Sequence, residues 1–165
     1  MKGKALGPID RVRAFSAALC MVAFSASLPV AAADGLCKPL REFVNSVKPG
    51  ETRVLRFNTI VGSNFKDREG PARGAKRCDF GSYEPAKAVC KYLMEFSSAE
   101  SSSYNSKSAI TCLSPKTRFA AETRLNAIDF SMKSGADENP TLVIVALAED
   151  KDLGGMVLSI TATGP

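Results

Sequence analysis

The chain contains no histidine. That absence removes Ser-His-Asp and Cys-His nucleophilic pairs, imidazole general bases and most zinc sites in one step. Close Cys-x2-Cys pairs are missing too: the cysteines after residue 33 are separated by 40, 11 and 21 intervening residues, which matches no zinc template. No cofactor or metal site is therefore expected. The stretch from Gly70 to Arg77 resembles a phosphate loop only faintly, because it lacks the four-residue gap between glycines and the following Ser or Thr. Internal repeats and dividing linkers are also lacking. Two export signatures are absent: Arg11 and Arg13 are separated by Val12, so there is no twin arginine, and Cys20 and Cys37 both follow leucine, so there is no lipoprotein site.

What is present at the N-terminus has the order of a secretory signal. A basic start (Lys2, Lys4, Arg11, Arg13) leads into an apolar run from Ala14 to Val30 and then Ala31-Ala32-Ala33. The run is rich in Ala and Ser, interrupted by Pro29, and shorter than the roughly 20 strongly apolar residues of a membrane span. Residues 1–33 are read as a cleaved signal peptide, with residues 34–165 as a single domain and no membrane span after cleavage. Their loss takes four of the 22 basic residues and one of the 17 acidic ones, leaving 18 against 16, a net of +2. A nucleic-acid partner loses its main support with that charge. The remaining 132 residues suffice to bury a real core.

Cysteine usage agrees with export. Cys20 leaves with the signal, and Cys37, Cys78, Cys90 and Cys112 form an even set, expected as two disulfides in a periplasmic or secreted protein.

Apolar residues Leu36, Leu40, Phe43, Val44 and Val47 recur at helical spacing, with Pro39 read as lying in the first turn, so a helix is expected over 35–48. Residues 51–60 read as a strand and 61–83 as a long loop. Ser82 and Glu84-Pro85 open a second helix, 84–97, whose buried face is Ala86, Val89, Cys90, Leu93 and Phe96. Seven serines among the twelve residues 97–108 read as an exposed connection. Four strand-like runs follow, 109–113, 119–132, 141–147 and 156–163, the third being a central strand. The expected fold is α+β, two helices on one face of a mainly antiparallel sheet of about five strands. With 109–113 as a strand beside the second helix, Cys90 would face Cys112 and Cys78 would reach Cys37, the preferred one of three pairings.

For chemistry there remain carboxylates, serine with lysine, or tyrosine. The spacing Ser63-Asn-Phe-Lys66 could set lysine beside a serine, but it falls in a loop without a helix to align them. Glu84, Glu95, Glu100, Glu122 and Asp129 could supply a glycosidase-like pair, yet nothing in their spacing selects one. The candidate binding site is the loop from Gly62 to Arg77, where Lys66, Arg68, Arg73, Lys76 and Arg77 face only Asp67 and Glu69. Its bland alternative is a solvated loop whose charges prevent aggregation. The expectation is an exported, non-catalytic binding module, an inhibitor or immunity-type protein whose exposed loops meet a protein or acidic partner. Alternatives are a small hydrolase using carboxylates in a cleft and an envelope-associated structural protein.

Overall fold

The computed structural model describes residues 31–120, 122–135 and 139–165. Most of the expected signal peptide lies outside them. Eight elements follow in order: α1 (Ala31–Asn45), β1 (Thr52–Val61), β2 (Gly74–Asp79), α2 (Glu84–Phe96), α3 (Ser102–Leu113), β3 (Ile128–Ser134), β4 (Thr141–Glu149) and β5 (Met156–Thr163). The strands form one antiparallel sheet in the order β2-β1-β5-β4-β3, and the α+β layer expected from sequence is what the chain builds.

Alternation divides the sheet into two faces. Leu55 and Phe57 on β1, Val143, Val145 and Leu147 on β4, and Leu158, Ile160 and Ala162 on β5 are buried and point to the helices. The helices answer with Leu40, Phe43 and Val44 from α1, Val89 and Leu93 from α2, and Ala109 and Ile110 from α3, all in one cluster. Burying each larger side chain contributes about 1.5–3 kcal/mol relative to leaving it in water. β4 is an interior strand, as its apolar run implies, while the middle of the sheet is β5.

Several expectations need correction. The described residues form three helices, because the serine-rich 97–108 connection and the expected strand 109–113 together contain α3. Its buried residues Asn105, Ser106, Ala109, Ile110 and Leu113 keep a helical period in which small polar side chains take apolar places. The loop expected over 61–83 contains β2, and the strand expected over 119–132 begins only at Ile128. Helix α1 starts at Ala31, so Pro39 lies in its interior rather than its first turn and cannot donate to the Gly35 carbonyl. At α2 the N-cap is Tyr83, with Ser82 at a left-handed φ of 59°, so Ser82 is not the cap.

The disulfides are Cys37–Cys112 and Cys78–Cys90, in place of the preferred Cys37–Cys78 and Cys90–Cys112. The third helix is the reason. With Cys112 on α3, which packs beside α1, its sulfur meets Cys37, and Cys78 on β2 is left under α2 opposite Cys90. One bridge thus joins two helices, and the other joins a helix to the sheet edge. Two disulfides fit an oxidising environment. Among the described residues no helix is long and apolar enough to cross a membrane.

Candidate functional site

The segment 62–73 joins β1 to β2 and folds as a strap over the sheet face that the helices leave uncovered. Strand pairing sets Arg77 opposite Asn58, one step out of phase with the Phe57 and Cys78 pair that faces the helices. Arg77 therefore rises from the uncovered face, and its guanidinium lies over the Phe65 ring at 5.0 Å. Phe65 is fully buried although it belongs to a loop and lies outside the main core. Arg77 also donates to both oxygens of Asp67 at 2.7 and 2.9 Å, a bidentate clamp. Those hydrogen bonds hold the Asp67 carboxyl below its ordinary value. At the base of the strap the Gly62 amide donates to the Arg73 carbonyl, and at its flank the Lys66 amide donates to the Leu153 carbonyl.

The tip of the β4–β5 hairpin that receives Lys66 is itself braced. Asp150 accepts from the Leu153 and Asp152 amides at 2.8 and 3.0 Å, and from Asn58 Nδ2 at 2.6 Å. The Leu153 bond contributes most to holding the Asp150 carboxyl below its ordinary 3.8, with Asn58 and Asp152 adding to it against the opposing effect of burial. Gly155 has φ +77° and sits against the Thr59 carbonyl, where any side chain would collide with backbone, so the hairpin can lie this close only with glycine. A depressed carboxyl binds its proton less readily in the folded protein, so its contribution is complete above pH 3.8 and fades as pH falls through the folded value. Asp150→Asn is accordingly expected to lower thermal stability at pH 7, with the gap to the parent closing only as pH falls below 3.8 in melting curves. A gap that stays constant down to pH 2 would contradict this.

Of the five expected binding cations, the fold uses three internally. Lys76 points to the helix side and its Nζ donates at 3.0 Å to the Ser97 carbonyl, at the end of α2. Arg77 clamps Asp67, and Lys66 Nζ bonds the Lys151 carbonyl. Alternation along β2 is what separates Lys76 from Arg77. Arg68 and Arg73 remain exposed, and their side chains enter no hydrogen bond or ion pair among the described residues. Lys66 reaches Lys151 and makes no hydrogen bond to Ser63, so the Ser-x-x-Lys spacing yields no bonded pair.

Sequence reasoning missed the surface around α3. Tyr104, 60% exposed, borders grooves of about 1020, 480 and 330 Å³. The largest is polar and includes Glu100, Ser103, Lys107, Glu122 and Arg124. The next is aromatic, with Tyr92 and Phe96 tilted against each other at 5.0 Å. Reading 97–108 as a flexible link hid both, although Tyr104 and Lys107 stand one helical turn apart.

Comparison with protein-family models, with curated proteins and with solved structures finds no match to this chain. Among the described residues no three His, Cys, Asp or Glu side chains converge to hold a metal ion.

Proposed function

We propose that this chain is an exported, non-catalytic binding module that meets an acidic protein partner through the strap. One observation carries the reading: the Phe65, Asp67 and Arg77 anchor fixes a loop whose two remaining cations, Arg68 and Arg73, project into solvent. A fixed loop loses little conformational freedom on binding, and a local excess of positive charge speeds encounter with an acidic surface. Export of residues 34–165 into an oxidising space, after loss of residues 1–33, accords with the two bridges. Reversing both charges, Arg68→Glu with Arg73→Glu, should weaken capture of a partner from periplasmic extract by about tenfold or more, and mostly through the association rate. Unchanged capture would remove the strap from the recognition surface.

A carboxylate hydrolase is the second reading, favoured by one observation: Glu100 and Glu122 line the same polar groove. Both are exposed. Paired-carboxylate catalysis sets its two acids apart by different surroundings, and here both side chains lie open to solvent. Binding is the better-supported function.

A further inference from the structure

The uncovered sheet face carries a pattern whose first row, read backwards, complements itself in charge. Three rows cross the four strands β1, β5, β4 and β3: Arg56, Ser159, Ala146 and Asp129; then Val54, Thr161, Ile144 and Ser131; then Thr52, Thr163, Leu142 and Lys133. The strap ends short of them, since its anchor Phe65 sits on Arg77 and Lys66 on the Gly154 end of β5. Val54 and Leu142 are 40% and 43% exposed, large apolar side chains on a face the helices do not touch. Arg56 and Asp129 stand at opposite ends of one row, both exposed and neither in an ion pair among the described residues.

We infer that this face packs against the same face of a second copy of the chain, about a twofold axis that runs parallel to the strands between β5 and β4. That operator exchanges β1 with β3 and β5 with β4. It sets Arg56 of each copy over the second copy's Asp129, so two opposite-charge pairs form together. Ile144 then meets the second copy's Thr161, Leu142 its Thr163, and Ala146 its Ser159, so the centre contains only apolar groups, hydroxyls and methyls. No two like charges oppose each other across the four strands. Packed sheets lie about 10 Å apart, a gap that an arginine and an aspartate facing each other can bridge. Strand β2 and the strap lie outside the overlap, and the axis leaves both straps at the same end of the pair. The overlap is only about 19 Å wide across four strands, so the contact belongs to the small, weak class and should dissociate in the micromolar range.

Sedimentation of the purified protein with both disulfides intact tests this over about 1 to 300 µM. A reversible monomer–dimer equilibrium is expected within that range, weakened by salt. Arg56→Glu and Asp129→Arg should each raise the dissociation constant about tenfold or more, and the two together should return it to within about threefold of the parent. Both positions are exposed, and circular dichroism of each variant checks that the fold is kept. A parent that stays monomeric to 300 µM would overturn the inference. So would a dimer indifferent to either single reversal, or a double variant no better than the single ones.

Discussion

Replacing Cys37 and Cys112 together by alanine is expected to cost about 4.5 kcal/mol in urea unfolding, and replacing Cys78 and Cys90 about 3 kcal/mol. The order follows from the length of chain each bridge closes, 75 residues against 12, because a longer loop removes more freedom from the unfolded state. Alanine is the right replacement, since Cys112 and Cys90 are 2% and 5% exposed and a serine hydroxyl there would be a polar group taken out of water. The first bridge also ties the N-terminal helix to α3, whose serine-rich sequence has little helical tendency of its own. Loss of the Cys37–Cys112 link should therefore lower helical circular dichroism at temperatures where the other variant stays fully folded. Equal costs for the two pairs would show that the bridges act through native contacts rather than through the unfolded chain.

Phe65→Ala is expected to cost about 3 kcal/mol, a core-sized penalty for a loop residue. The ring is fully buried, supports the Arg77 guanidinium and sits between the strap and the sheet. Without it the Arg77 clamp on Asp67 loses its platform and becomes a solvent-exposed pair, which contributes little. Hydrogen exchange should then speed up at the Lys66 and Gly62 amides, whose acceptors are Leu153 and Arg73, while the α1 and α2 amides keep their protection. A cost below about 1 kcal/mol would mean that the strap is held by its polar contacts alone.

These two expectations mark where the sequence was readable and where it was not. Helix α2 and strands β1, β4 and β5 were placed to within two residues, because each has apolar side chains at its own period and punctuation at its ends. Helix α3 escaped because serine is ordinarily a residue of turns. Here Ser106 is fully buried, its hydroxyl returned to the Ser102 carbonyl one turn back, so it behaves as a small core residue. Strand β2 escaped because an edge strand of Gly, Ala, Lys, Arg, Cys and Asp has no apolar alternation. It is held in place by pairing with β1 and by the Cys78 bridge, both long-range facts. The disulfide pairing was misread for the same reason, since it depends on knowing that Cys112 lies on a helix.

The candidate site was legible as a charge excess but not as a geometry. Counting cations could not reveal that a two-residue period sends Lys76 to one face and Arg77 to the other. Nor could it reveal that Phe65, a lone aromatic among charges, anchors the loop and leaves Arg68 and Arg73 as its free surface.

The order β2-β1-β5-β4-β3 gives the last strand of the chain the central position. The β1–β2 ribbon and the β3–β4 ribbon can each pair within themselves, but the sheet is continuous between them only through Met156–Thr163. The junction pairs Thr52 with Thr163, 111 residues apart, so the sheet closes through one of its longest-range contacts. A chain that lacks Met156–Thr163 would therefore hold two separate ribbons with raw strand edges, an opening for misassembly rather than a smaller version of the fold.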